Sequence, residues 1–164
     1  MSTPGTFEEI YSENYKAMHR VAFKMIGDKD GASDIVQDVF IDCFQKLRNG
    51  LVIDNAKSWL YKVTYIKCID HFRKQQRLHE IKLMKDIEIE DKQNDNQEMK
   101  TVIKKALSKL NPQEKVLAVL YSEGLSYKEM ASATGIKFSS IGKTLSRTLK
   151  KLGKELNNHR YEMY

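Results

Sequence analysis

The stretch LSYKEMASATGIKFSSIGKTLSRTLKK, from Leu125 to Lys151, constrains the fold more than any other part of the chain. Ser126 followed by Glu129 has the spacing of a capping box, in which hydroxyl and carboxylate satisfy each other's free backbone N–H groups, so a helix opens near Ser126. Ala131, Gly135 and Ile141 then supply a small contact residue, a left-handed turn residue and an apolar anchor. That is the pattern of a helix-turn-helix. Ile141, Leu145, Leu149 and Leu152 recur at helical spacing and predict the buried face of the second helix. Lys143, Ser146, Arg147 and Lys150 lie off that stripe, where a helix laid in a major groove presents donors to bases and phosphates.

Charge placement supports contact with nucleic acid. The chain has 164 residues, with 28 Lys and Arg against 22 Asp and Glu, a net charge of +6 that matters only where it is unevenly distributed. Basic residues crowd Lys57 to Arg77 and Lys137 to Lys154, whereas acidic ones dominate Asp86 to Glu98. Pro and Gly are sparse, which favours helices joined by short turns. Cys43 and Cys68 sit singly inside apolar helical patterns and read as reduced core thiols. His19, His71, His79 and His159 have no ligand spacing, so neither a metal nor a cofactor is expected. Apolar runs fall short of a bilayer's thickness and the N-terminus lacks a signal-like pattern, so the expected location is the cytoplasm.

In order along the chain, Phe7, Ile10, Tyr11, Met18, Val21, Ala22, Met25 and Ile26 predict an amphipathic helix that GDKDG at Gly27 to Gly31 stops. The next helix, about Ala32 to Leu47, is expected to bury Ile35, Val36, Val39, Phe40, Cys43, Phe44 and Leu47. Its other face carries Asp34, Asp38 and Asp42 at four-residue steps. Each like-charge pair at that spacing costs an isolated helix a few tenths of a kcal/mol, and a basic partner surface would relieve the repulsion. After a polar loop from Arg48 to Asn55, Asn55 caps a helix through AKSWLYKVTYIKCIDHFRKQQR. Leu60, Val63, Ile66 and Ile69 are its expected core stripe, and Lys62, Lys67, Arg73, Lys74 and Arg77 its basic exterior. Trp59, Tyr61 and Tyr65 are interleaved with those lysines, as in surfaces that stack unpaired bases while neutralising a phosphate strand.

From His79 to Glu98 periodicity is lost and the composition turns acidic, which marks a linker and a domain boundary. The expected organisation is therefore an N-terminal unit over residues 1–78, a linker over 79–98 and a C-terminal unit over 99–164. The fold class is all-α, two small helical domains joined by a flexible acidic linker. The C-terminal unit opens near Met99 with Val102, Ile103, Ala106, Leu107 and Leu110 on one face. Asn111, Pro112 and Glu114 then spell the start of a helix with Val116, Leu117, Leu120 and Tyr121 inward, ending at Gly124.

Taken together, DGASDIVQDVFIDCFQKL (Asp30 to Leu47), KSWLYKVTYIKCIDHFRK (Lys57 to Lys74) and LNPQEKVLAVLYSEGLSYKEMASATGI (Leu110 to Ile136) resemble an extracytoplasmic-function (ECF) sigma factor of the sigma-70 family, over nearly the whole chain. The resemblance implies a non-enzymatic subunit that binds RNA polymerase core enzyme and directs promoter recognition and opening, with no small-molecule substrate. It implies that Asp34, Gln37, Asp38 and Phe40 dock on the clamp of the beta-prime subunit. It implies that Trp59, Tyr61, Lys62, Tyr65, Arg73 and Lys74 hold the minus-ten element, with the loop Arg48 to Asn55 completing a pocket for an extruded base. Ser139, Ser140, Lys143, Ser146, Arg147 and Lys150 would read the minus-thirty-five element as duplex. An anti-sigma factor is a further implied partner.

The chain also departs from the family pattern. Ile66 stands where many members carry asparagine, and Lys137 where a serine often caps the recognition helix, which leaves Ser139 or Ser140 as the expected cap. Gly142 and Thr144 replace commonly basic residues, and Gly142 is expected to let backbone approach a phosphate closely. An autonomous helix-turn-helix regulator with a sensing or dimerising N-terminal unit is the alternative, although it needs neither the acidic ladder nor the aromatic basic helix. No phosphate loop, nucleophile-base arrangement or metal spacing supports an enzyme.

Overall fold

Local capping chemistry sets most of the element ends in the computed structural model, which describes the backbone of residues 5–84 and 98–162 and the side chains of residues 5–78 and 101–158. Seven α-helices and no strand occur among the described residues: α1 (Phe7–Ile26), α2 (Lys29–Arg48), α3 (Ala56–Met84), α4 (Glu98–Ser108), α5 (Pro112–Ser122), α6 (Tyr127–Thr134) and α7 (Phe138–Glu162). Thr6 and Glu9 form a capping box at the start of α1. Gly27 ends that helix at φ 72°, a left-handed conformation that glycine adopts without steric cost, and Asp28 caps α2 one residue later. The Asn55 side chain accepts from the Ser58 N–H at 3.1 Å and starts α3. Asn111 does the same for Glu114 at 2.8 Å, with Pro112 at the first helical position. Each such cap contributes about 1 kcal/mol.

The helices form two packed groups that share one continuous core. In the first, α1, α2 and α3 pack on one another through Met18, Val21, Met25, Val36, Val39 and Leu60. In the second, α7 packs on α4, α5 and α6 through Val116, Leu117, Leu120, Met130, Ile141 and Leu145. The groups also meet, α1 against α5 and α3 against α6, so α3 is covered from both sides.

That double cover shifts the register expected for α3. Leu60, Tyr61, Thr64 and Cys68 are the buried positions, and Ile66 is 46% exposed. The Thr64 hydroxyl is accommodated by a 3.4 Å hydrogen bond to the Met18 sulfur. The helix also runs on to Met84, past the boundary placed at residue 78, and α4 begins at Glu98; the rest of the expected linker, 85–97, lies outside the described residues. Tyr121 is exposed, not inward, because α5 turns Val116, Leu117, Val119 and Leu120 to the core. Phe44 is likewise exposed, although its ring meets Phe7 edge-on at 5.3 Å.

The revised register predicts opposite outcomes for neighbouring apolar residues. Ile66→Asn should change unfolding free energy by no more than about 0.5 kcal/mol, whereas Leu60→Ala should cost about 2–5 kcal/mol. Urea denaturation of the full chain followed by circular dichroism separates the two.

Candidate nucleic-acid interface

The helix-turn-helix forms as its caps dictate. The Glu129 N–H donates to Ser126 Oγ at 3.1 Å and the Ser126 N–H to Glu129 Oε1 at 3.2 Å, closing the box at the start of α6. Gly135, at φ 77°, makes the turn. The long second helix, α7, then crosses α6 with Ile141, Leu145 and Thr148 inward. Thr148 takes the place expected of Leu149, which is 37% exposed; its hydroxyl donates to the Thr144 carbonyl at 2.8 Å, so the buried oxygen is satisfied.

All six residues expected to read duplex DNA, Ser139, Ser140, Lys143, Ser146, Arg147 and Lys150, are exposed on α7. Neither serine is a cap, because α7 starts at Phe138 and both fall in its first turn; the Ser140 N–H donates to the Lys137 carbonyl at 2.9 Å. That turn holds no acidic residue, so its free N–H groups and the helix dipole favour an anion such as phosphate. Gly142 also has a role inside the fold. A Cβ placed there would come within 3.2 Å of Tyr127 Cε2, so the missing side chain makes room for this protein's own ring where α6 and α7 cross.

The basic aromatic helix is only partly open. Lys62, Arg73 and Lys74 are exposed, with Arg73 3.8 Å from Asp70. Trp59 is half-buried and Lys46 Nζ lies 5.4 Å from its ring centre, which brings a cation beside the aromatic face. In the loop before it, Ile53 is buried and anchors the chain, leaving Leu51 and Val52 outside. Tyr65 is half-buried against the core. Tyr61 is 3% exposed and offers no stacking surface in this arrangement, which corrects the expectation that all three aromatics face a strand. Burial pushes its hydroxyl pKa up, and the neighbouring Glu123 carboxylate adds to the rise.

The acidic ladder is similarly divided. Asp34, Gln37 and Asp38 are exposed, but Asp42 pairs with Lys67 of α3 at 2.9 Å and is committed internally. Phe40 is 4% exposed, with Tyr11 and Tyr15 ring centres 4.8 and 6.2 Å away, so it supports the fold and cannot itself form a docking surface.

A cluster that sequence reasoning missed joins the two helical groups. The side chain of Glu123, just past α5, is 6% exposed. Arg20 of α1 grips it with both arms, Nη2 to Oε2 at 2.9 Å and Nε to Oε1 at 3.2 Å. Lys24 adds a contact at 3.2 Å and also reaches Ser122 Oγ at 3.2 Å. Burial alone would raise the Glu123 pKa, but hydrogen bonds and charge from Arg20 and Lys24 outweigh it and hold the carboxyl below its ordinary value. A sequence signal did exist: an acid at a helix C-terminus faces the negative end of the dipole and needs cations from elsewhere. Nearby, Lys115 Nζ lies 5.3 Å from the Phe72 ring centre, and burial lowers its pKa. Burial pushes the adjacent Cys68 thiol up to about 12, so it stays protonated.

Comparison with known proteins matches residues 10–78 to the family model Sigma-70 region 2 and residues 100–152 to Sigma-70, region 4. The chain is 29% identical over 142 residues to RNA polymerase sigma factor SigV of Bacillus subtilis, covering 85% of this chain and 84% of that protein. It is 24% identical over 165 residues to ECF RNA polymerase sigma factor SigE of Mycolicibacterium smegmatis, covering 96% of this chain but only 64% of that protein. Among solved structures, the sigma factor RpoE in complex with the anti-sigma factor NepR from Bartonella quintana superposes with a TM-score of 0.74 at 24% identity, covering 92% of this chain and 96% of that one. CnrH in complex with the cytosolic domain of CnrY gives 0.69 at 20% identity, covering 93% and 88%. At these identities the structural likeness bears on the fold alone.

The depressed Glu123 pKa gives a directional acid response. A carboxylate held below its ordinary value stabilises the folded chain above about 4.5, and that contribution is lost as pH falls through the group's own lower value. The melting-temperature difference between wild type and Glu123→Gln should be full at pH 7 and shrink once pH drops below 4.5. Thermal unfolding of both proteins from pH 7 to pH 3 checks this.

Proposed function

We infer the protein's task from the premise that it belongs to the sigma-70 family, as an extracytoplasmic-function (ECF) sigma factor: it binds RNA polymerase core enzyme and directs promoter recognition and opening. The observation that carries this reading is the α7 face. Six polar and basic side chains point outward from a helix-turn-helix whose inward positions are filled by Ile141, Leu145 and Thr148.

In this reading α7 enters the major groove at the minus-thirty-five element. Lys143, Arg147 and Lys150 neutralise phosphates or reach base edges, and Ser139, Ser140 and Ser146 donate short hydrogen bonds. Phosphate contacts supply salt-dependent affinity, and the few base contacts choose the site. The N-terminal unit holds the minus-ten element, with Trp59 and the exposed Leu51 and Val52 forming the apolar wall of a pocket for an extruded base. Lys62, Arg73 and Lys74 track the backbone of that strand. Tyr61 and Tyr65 join this surface only if the cover on α3 moves. Asp34, Gln37 and Asp38 meet a basic surface on the beta-prime clamp, which offsets the repulsion within the ladder.

The protein's contribution is binding and positioning, and the chemistry of transcription belongs to the core enzyme. The two functional units are residues 1–78, with the α3 extension to Met84, and 99–164. An anti-sigma factor that covers both DNA-facing surfaces is a further proposed partner, of the kind named in the solved complex of RpoE with NepR.

In-vitro transcription with purified core enzyme tests the whole reading: the protein should confer start-site choice on a promoter library. Tight, specific binding to bare duplex without core enzyme would favour an autonomous regulator instead. Asp38→Arg should weaken pull-down of core enzyme with helix content unchanged by circular dichroism; equal recovery would remove the clamp assignment. Arg147→Ala should lower transcription from a promoter with a minus-thirty-five element by roughly five- to 150-fold, as expected for loss of about 1–3 kcal/mol at a base contact. A promoter lacking that element should be affected far less.

A further inference from the structure

We propose that Ile66 is a specificity determinant of the strand-holding surface, selecting thymine through its methyl group at one position of the single-stranded minus-ten element. This deepens the role given to α3 above and rests on it.

Lys62, Ile66, Asp70 and Arg73 recur at helical spacing, and all four are exposed on one side of α3. Between Ala56 and Arg77, Ile66 is the only exposed large apolar side chain among the described residues, at 46%. An isolated apolar residue on a surface is ordinary, but this one stands inside the row of cations that tracks the strand. Its outward direction follows from the burial of Leu60, Tyr61, Thr64 and Cys68 on the other sides of the helix. Asp70, the acid of that row, lies 3.8 Å from Arg73. A strand held by Lys62 and Arg73 passes over Ile66. Trp59 stands two turns earlier on the same side, about 10 Å along the axis. The base read at Ile66 is therefore a near neighbour of the one extruded beside Trp59, within about three nucleotides at roughly 3.4 Å each.

What such a side chain can read is limited by its chemistry. Lys62 and Arg73 bind phosphates and are indifferent to sequence. Ile66 has no donor or acceptor, so it cannot answer the hydrogen-bonding edges that distinguish most bases. Its gain comes only from apolar area withdrawn from water, and thymine alone among the DNA bases carries a methyl group, at C5. Contact with that methyl favours thymine over the other pyrimidine without any hydrogen bond.

The test replaces thymine by uracil, which removes the methyl and leaves the pairing edge intact. The promoter is one selected from the library by the full chain with core enzyme. Forked fragments carry its minus-ten element as unpaired non-template strand, with each thymine changed in turn. The reconstituted enzyme should bind one of these uracil fragments roughly fourfold more weakly, the factor equivalent to about 0.8 kcal/mol for one buried methyl group. Ile66→Asn, a change expected above to leave the fold intact, should bind thymine and uracil fragments equally at that position. Ile66→Val should retain part of the preference. The ratio of the two affinities isolates the contact, because a variant that merely disturbs α3 weakens both fragments alike.

A selected minus-ten element without thymine, equal affinities for thymine and uracil at every position in wild type, or a preference that survives in Ile66→Asn overturns the proposal and leaves the functional reading standing. In the last case, loss of the preference in Val52→Ala would place the methyl contact in the loop before α3. Failure of wild type to direct transcription with core enzyme sinks the functional reading itself, and this proposal with it, before any fragment is chosen.

Discussion

A helix with apolar side chains on more than one side has to be covered on more than one side, and α3 imposes that requirement on the rest of this protein. Leu60 and Thr64 are buried with α1 and α2 packed on one flank, while Tyr61, Cys68 and Phe72 carry apolar surface toward α5 and α6. The two helical groups are therefore parts of one continuous core in this arrangement. The same helix carries the basic residues assigned to strand binding. Structural and functional demands thus fall on one helix, its covered sides serving the core and its exposed Lys62, Arg73 and Lys74 facing outward.

Charge decides how the two groups are held against each other. Had Glu123 been apolar, the contact between the groups would resemble any other core. A carboxylate at the end of α5, opposed by its helix dipole and gripped by Arg20 and Lys24, makes the contact specific in register and expensive in desolvation. Lys115 over Phe72 adds a second charged element of the same kind. The interface is ordered by its ions and limited by them.

The helix-turn-helix was legible from residue types because its geometry is local. A capping box, a left-handed glycine and an apolar stripe are each satisfied within a few residues, and Ser126, Gly135, Ile141 and Leu145 do what their spacing implies. The outward positions of α7 follow from the inward ones. The contact between Gly142 and Tyr127 was not legible for the opposite reason: that ring is placed by the crossing of α6 and α7, which no local rule specifies. Phe40 and Asp42 belong to the same class. One is enclosed by rings from α1 and the other is claimed by Lys67 of α3, partners that sequence spacing within α2 cannot reveal.

Sequence by itself determined the helical periodicity, the caps at Asn55, Asn111 and Ser126, the helix-turn-helix, and the division of charge that points to nucleic acid, because all of these arise from interactions between residues near one another in the chain. Tertiary structure alone decided which side of α3 is free, which rung of the acidic ladder is spent internally, and that Glu123 finds cations 103 and 99 residues away. Those outcomes depend on how two preformed helical groups settle against each other. Burial and ion pairing across that contact are set by three-dimensional neighbours, and no periodic pattern encodes them.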